Sequence, residues 1–262
     1  MTRRRFIADT WTETSASLTG DQAFHLARVL RATPGQVYDI VANGFLHRAE
    51  ITHVSDSEVL FTLHEELESD AALPLHLLLA VFKFDHMEWA IEKATELGIA
   101  KITPILARRT EKHLAQSALK RSERWRRIAL EASKQSRRTD IPNIADPIPL
   151  KQALAEENSP TRILLSETEQ ATTLTTALEI SNTSNTARVP HPSQPHRDGG
   201  DALPSPPGTT HALAIGPEGG WTPEEMSLFT EHQWQPVTLG PRILRAETAA
   251  IAAIAIASTH FT

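Results

Sequence analysis

The sequence predicts an α/β protein in two parts: a small β-barrel over residues 1–72 and, from residue 73 to 262, a parallel sheet covered by helices. Three observations predict it. Short alternating segments rich in Val, Ile, Phe and Thr fill the first seventy residues. From Leu73 onward, apolar runs of strand length alternate with segments of helical periodicity. The chain of 262 residues, 40% apolar and 22% charged, is long enough to bury two modest cores.

In the first part, Arg5–Ala8, Gln36–Ala42, Phe45–Thr52 and Glu58–Leu63 read as strands. Asn43-Gly44 between two of them marks a hairpin, because a type I′ turn needs positive φ at both central residues. One helix is expected over Asp21–Arg31, with Phe24, Leu26, Ala27 and Leu30 apolar. The acidic stretch Glu65–Asp70 reads as a linker.

In the second part, His76–Lys83 reads as a buried strand. Asp85 with Glu88 three residues on has capping-box spacing and should open a helix that buries Met87, Ala90, Ile91, Ala94 and Leu97 and stops at Gly98. Ile99–Leu106 is the next strand, and a long helix over Gln116–Ser136 should turn Leu119, Trp125, Ile128, Ala129 and Ala132 inward. Further strands are expected at Arg162–Leu165, Ala212–Ile215 and Pro236–Leu239, with helices from Pro223 and from about Glu247. The run Ala249–Ala257 is apolar on all sides and must be buried. In residues 181–210, nineteen of thirty are Pro, Gly, Ser, Thr or Asn, so a disordered insertion is expected there, and His191 and His196 within it read as solvated rather than as metal ligands.

Composition excludes several function classes. No cysteine means no disulfide and no thiolate chemistry, which is compatible with a reducing cytosol. No run reaches the roughly 18 apolar residues of a membrane helix, and no apolar segment of signal-peptide type follows the basic start. Dinucleotide, P-loop, serine hydrolase and zinc protease patterns are missing. Residues 1–72 carry six Arg against eleven acids, whereas Arg108–Arg138 holds eleven basic residues against three acids, a local net charge of +8. Such a block suits a phosphate-binding face, or simply a solvated basic helix. Candidates for phosphate contacts are Arg3, Arg4, Arg5, His25, Arg28, Arg31, Arg108, Arg109, Lys134, Arg137 and Arg138.

Three turns follow predicted strands at their carboxyl ends, where ligands bind in open parallel sheets: Ser166-Glu167, Gly216–Gly220 and Gly240–Thr248. The glycines of the second allow positive φ and close backbone approach to a ligand. Thr222, Pro223 and Glu225 then form a helix start with capping-box spacing. Glu218 and the lack of a following Lys argue against a phosphate in that loop, and a neutral or cationic ligand suits it better. The third turn sets Arg242 and Arg245 beside Glu247 and Thr248 before the apolar helix, either as a structural Arg245–Glu247 pair or as functional charges.

Phe82–Gly98, Ile102–Ile105, Arg126–Arg137, Ile215–Gly220 and Leu239–Ala249, in this order, resemble the 16S rRNA uracil-N3-methyltransferases of the SPOUT class, and His25–Arg31 with Gly35-Gln36 is similar to that family's amino-terminal barrel. The resemblance implies a PUA-like barrel, a SPOUT-type α/β domain with a carboxyl-terminal trefoil knot, and a cytoplasmic homodimer. It also implies S-adenosylmethionine in the knot and methylation of one uridine of the assembled small ribosomal subunit, without metal or membrane. On that basis Leu165, Ser166, Glu167, Ile215, Gly216, Pro217, Glu218, Gly219, Gly220, Leu239, Gly240, Arg242, Ile243 and Leu244 would hold the adenosyl moiety. Arg245 would stand over the uracil oxygens with Glu247 or Thr248 orienting it, and no residue is marked by spacing as general base. A SPOUT enzyme acting on tRNA or a ribose hydroxyl, and a non-catalytic RNA-binding protein, are the alternatives.

Overall fold

A computed structural model describes residues 5–69, 71–184 and 209–261, with backbone alone at 181–184. Two compact units emerge. Among the described residues, the first contains the amino-terminal residues up to Ala71, with Ser133–Asp140 grouped with them, and the second contains Ala72–Ala132, 141–184 and 209–261.

In the first unit, β1 (Arg5–Ile7), β2 (Thr10–Trp11), β3 (Ser15–Thr19), β4 (Val37–Ala42), β5 (Phe45–Val54) and β6 (Glu58–Leu67) form one sheet in the order β1-β4-β5-β6-β3-β2. The two edge strands are consecutive in the chain. Ala8 N donates to Val41 O at 2.8 Å on β4, and Asp9 N to Ser17 O at 2.9 Å on β3, so two residues carry the backbone from one edge to the other and close the barrel. Leu18, Ile40, Ile51 and Phe61 fill it, capped by Leu26 and Ala23. Asn43 at φ 51° and Gly44 at φ 78° make the expected hairpin turn between β4 and β5.

Two expectations are corrected here. The acidic stretch from Glu65 is not a linker from its start, because β6 runs to Leu67 and Arg48 Nη1 pairs with Glu65 Oε1 at 2.6 Å across β5 and β6. The helix expected to Arg31 is a short α1 (Gly20–Phe24) followed by a π-helical turn, His25–Val29, and Arg31 leaves it at φ 51°. Arg3, Arg4, His191 and His196 lie outside the described residues.

In the second unit every strand pairing is parallel. β7 (Leu73–Ala80), β8 (Ile99–Leu106), β9 (Asn143–Ile144), β10 (Ile148–Pro149), β11 (Thr161–Leu165), β12 (His211–Ile215) and β13 (Gln235–Val237) follow the order β10-β8-β7-β12-β11-β13, with β9 also on β8. Helices cover both faces: α2 (Phe84–Glu96), α3 (Lys112–Ser136), α5 (Leu174–Ser184) and α7 (Ala246–Ser258) on one, α4 (Leu150–Glu156) and α6 (Pro223–Glu231) on the other. Leu75, Leu77 and Leu79 of β7 belong to the first core and Leu78 to the second, which is why this strand is a nearly unbroken apolar run rather than an alternating one. Trp125 of α3 is fully buried, edge-on to Phe84 at 6.0 Å; truncating such a side chain to Ala costs about 3 to 5 kcal/mol.

Helix boundaries bring further corrections. Asp85 does not cap α2; the helix begins at Phe84 with Lys83 at the N-cap, and Glu88 accepts from Arg124 Nε and Nη2 at 2.6 and 2.7 Å instead of closing a capping box. Leu119 is 63% exposed, because α3 starts at Lys112 and turns Leu114, Ala118 and Trp125 inward. Residues 181–184 continue α5, and Thr210 N donates to Pro74 O at 2.9 Å, so both ends of the expected insertion are ordered; 185–208 lie outside the described residues. The apolar α7 buries Ala250, Ala253, Ile254 and Ala257 but leaves Ile251, Ala252, Ala255 and Ile256 only half-buried. The two-residue strands β9 and β10, each paired with β8, and the helices α4 and α5 carried no signal strong enough to be expected.

Candidate active site

Parallel pairing brings the carboxyl ends of β7, β12, β11 and β13 to one edge of the sheet. The three expected turns therefore meet: a cavity of about 1120 Å³ is lined by Leu165–Gln170, Ile215–Trp221 and Leu239–Ala246, with Lys83, His86, Arg109, Thr173, Met226, Thr238 and Ala249. All fourteen residues expected at an adenosyl group line it.

The glycine loop is held by three separate devices. Gly220 takes φ 68°, the only one of the loop's three glycines at positive φ. Gly216 is needed for space: a Cβ there would lie 3.1 Å from the indole Nε1 of Trp221, which folds back over it and packs edge-on to Phe229 at 4.8 Å. The capping box of α6 is present, with Thr222 N donating to Glu225 Oε2 at 2.9 Å and Glu225 N to Thr222 Oγ1 at 3.3 Å. Glu225 is buried, and its other oxygen accepts from Arg108 N at 2.7 Å, which ties the loop after β8 to the start of α6.

Arg109, expected at phosphate, donates from Nη1 to the carbonyl of Gly219 and, at 3.4 Å, to that of Trp221. It braces the glycine loop. Other members of the basic block are likewise engaged: Arg121 lies 4.8 Å over the Phe84 ring, Arg124 holds Glu88, Arg126 Nη2 meets Asp146 Oδ1 at 2.6 Å, and Arg138 pairs with Asp140. Arg28 pairs with Asp56 in the first unit, while Arg5 is half-buried and His25, Arg31, Arg108 and Arg137 are exposed. The +8 of the sequence is therefore partly neutralised by acids that lie outside the block.

Arg245 is the N-cap of α7, is exposed, lines the cavity and makes no ion pair among the described residues. Glu247 does not pair with it. Its side chain is 3% exposed, turned under the first turn of α7, with Oε1 3.4 Å from His86 Nδ1 of α2. Thr248 is exposed and is not among the cavity's lining residues, so the orienting role expected of it has no support in its position. Lys83 and His86 were missed by sequence reasoning. The usable signal was the same one that found the other loops, since both follow the carboxyl end of β7. Thr168 and Glu169 were missed because the turn after β11 is longer than its first two residues. Glu169 accepts from Thr172 N at 3.0 Å and Ala171 N at 2.7 Å, and these backbone hydrogen bonds hold its carboxyl below the usual range.

No group of His, Cys, Asp and Glu fit to hold a metal ion occurs among the described residues, and none of the described helices is long and apolar enough to cross a membrane.

Comparison with known proteins agrees with this arrangement. The family model of an RNA methyltransferase domain matches residues 69–258, and that of an RNA methyltransferase PUA domain matches residues 18–63. The ribosomal RNA small subunit methyltransferase E of Bacillus subtilis is 32% identical over 248 residues, 92% of this chain and 89% of the relative. The protein of that name from Synechocystis is 30% identical over 93% of this chain and 72% of its own length. Among solved structures, ribosomal RNA small subunit methyltransferase E of Neisseria gonorrhoeae bound to S-adenosyl methionine superposes with a TM-score of 0.74 at 27% identity, covering 98% of both chains.

Proposed function

The chain belongs to the RNA methyltransferase family, and from that premise we propose that it methylates N3 of one uridine in the 16S rRNA of the assembled small ribosomal subunit. It is an S-adenosylmethionine-dependent rRNA methyltransferase. The observation that carries the reading is the single cavity formed by three loops far apart in the chain.

The lining fits the cofactor. Its loops offer backbone groups, Gly216 leaves no room for a Cβ beneath Trp221, and the acidic side chains Glu167, Glu169 and Glu218 stand among Lys83, Arg109, Arg242 and Arg245, so a ligand carrying charges of both signs can be met. When bound, S-adenosylmethionine supplies a methyl group activated by its sulfonium charge. The chain's own residues do the rest. Leu165–Glu167, Gly216–Gly220 and Leu239–Leu244 hold the adenosyl end, and the bracing of the glycine loop by Arg109 and Glu225 keeps that hold rigid before the substrate arrives. Arg245, which lines the cavity and has no carboxylate partner among the described residues, neutralises the uracil anion as the imide proton leaves.

The amino-terminal barrel and exposed members of the basic tract, among them Arg108 and Arg137, meet rRNA phosphates. The half-buried residues Ile251, Ala252, Ala255 and Ile256 of α7, with Trp89 of α2 at 48% exposure, are apolar surface that a second copy of the chain covers in a homodimer. In this reading the loops after β11, β12 and β13 form a trefoil knot, and the enzyme works in the cytoplasm, where its substrate particle is. Incubating the protein and S-adenosylmethionine with small subunits from a strain lacking the activity, then analysing nucleosides by mass spectrometry, should yield 3-methyluridine. A methylated ribose, or methylation of tRNA alone, would overturn the reading.

A further inference from the structure

We propose that His86 accepts the proton that leaves uracil N3, with Glu247 orienting its ring; this rests on the uridine N3 reading above. His86 lies in the first turn of α2, lines the cavity and has a side chain 31% exposed. Its Nδ1 faces Oε1 of Glu247 at 3.4 Å, and Glu247 is itself 3% exposed; neither Nδ1 nor Glu247 Oε2 has a hydrogen-bond partner among the described residues, so the two buried groups have each other as the charge contact at hand. A buried carboxylate is costly unless a proton donor stands beside it, and the imidazole Nδ1 stands beside Oε1. With Nδ1–H directed at the carboxylate, Nε2 carries the lone pair. A carboxylate behind an imidazole whose other nitrogen makes no hydrogen bond among the described residues, its nearest carboxylate being the exposed Asp85 at 3.9 Å, is the arrangement a general base needs. At 3.4 Å the contact is longer than a good hydrogen bond, as catalytic contacts often are before ligand closes the site.

The other groups around the ring do not replace it. Asp85 of the same helix has Oδ2 3.9 Å from Nε2 but is 79% exposed. Lys83, Arg109 and Arg245 line the same cavity as donors, and Glu88 on the next turn is taken by Arg124 and Arg121. Glu169 already accepts two backbone N–H groups. In the step, the N3–H bond breaks and its proton passes to Nε2 while the electron pair stays on N3. That pair forms the N3–CH3 bond as the donor's S–CH3 bond breaks, its electrons remaining on sulfur, and the imidazolium then releases the proton to water.

Three measurements test this on the full-length protein. Single-turnover methylation of unmodified small subunits by His86→Gln should be slower by on the order of a hundredfold and should keep rising with pH after wild type has levelled, because hydroxide takes over the proton. Calorimetry with S-adenosylmethionine should show affinity changed by less than about threefold, which separates proton transfer from cofactor binding. Imidazole 15N spectra of the cofactor-free protein should show neutral His86 as the Nδ1–H tautomer, lost in Glu247→Gln; if that buried variant does not fold, the wild-type tautomer decides. Near-wild-type turnover of His86→Gln, or a wild-type ring protonated at Nε2, overturns the proposal. Nucleosides of the wild-type product are analysed in parallel: a product other than 3-methyluridine removes the N3 reading itself, whereas 3-methyluridine with a fully active His86→Gln removes only the role of His86.

Discussion

The two ends of the parallel sheet treat polar groups in opposite ways. Toward the amino ends of the strands, His76 of β7 is buried with both ring nitrogens engaged, Nδ1 by Glu157 and Nε2 by Thr103 Oγ1 at 2.8 Å, and Glu157 accepts in turn from Ser159 N at 2.8 Å. At the carboxyl ends, among the described residues, Arg245 has no carboxylate and Glu247 has an unpartnered oxygen, and His86 is half open to a cavity. The first cluster is complete and serves stability; the second is incomplete until something enters. The difference teaches that a closed polar cluster marks where the fold is locked, whereas unpartnered charged groups gathered beside a cavity mark where a ligand can complete them.

That contrast can be broken most directly at Arg245. Arg245→Ala should reduce methylation by roughly a hundred- to a thousandfold, about 3 to 4 kcal/mol, while calorimetry finds the cofactor bound nearly as before and thermal stability unchanged. Retained turnover would remove Arg245 from the chemistry.

Glu157→Gln should do the reverse, lowering stability in urea unfolding by about 2 kcal/mol with turnover intact, because one amide oxygen cannot serve both His76 and Ser159. Acid sharpens the same point. Burial opposes ionisation of Glu157, but hydrogen bonds from His76 and Ser159 outweigh it and bring its carboxyl down to about 2 from an ordinary 4.5. Its contribution is therefore present above about pH 4.5 and lost as pH falls toward 2. Burial also holds the His76 imidazole below its ordinary 6.5, despite the pull of Glu157, so that contribution too is present above 6.5 and is lost on acidification. Unfolding measured across this range should show stability falling steadily as pH is lowered, and Glu157→Gln should flatten the part below 4.5.

The smallest effect is expected at the junction of the two behaviours. Thr222→Ala removes one half of the α6 capping box beside the glycine loop and should cost about 1 kcal/mol in urea unfolding, with a modest weakening of cofactor affinity. An unchanged unfolding midpoint would mean that Glu225, through Arg108, anchors the loop alone.

What could be read in the chain and what could not divide along the same physical line. The Asn43-Gly44 turn, the stop at Gly98, the Thr222 cap and strand β8 were legible because backbone sterics and capping act within a few residues. The Asp85 cap failed as a local signal because Glu88 had a stronger partner 36 residues away in Arg124. The basic block was visible as charge, but the acids that quench it, Glu88 and Asp146, belong to other segments.

The sequence by itself determined the long central strands, the helices α2, α3, α6 and α7, and the loops to which ligand chemistry had to be assigned, since propensity, periodicity and turn geometry are short-range; the short β9 and β10 and the helices α4 and α5 it did not. Only the tertiary structure decided that Arg109 would brace Gly219, that Glu247 would turn from Arg245 to His86, and that the loops after β11, β12 and β13 would enclose one cavity. Those outcomes follow from the order in which parallel strands pack side by side. That order is settled by burial of both faces of the sheet and leaves no mark in any single stretch of chain.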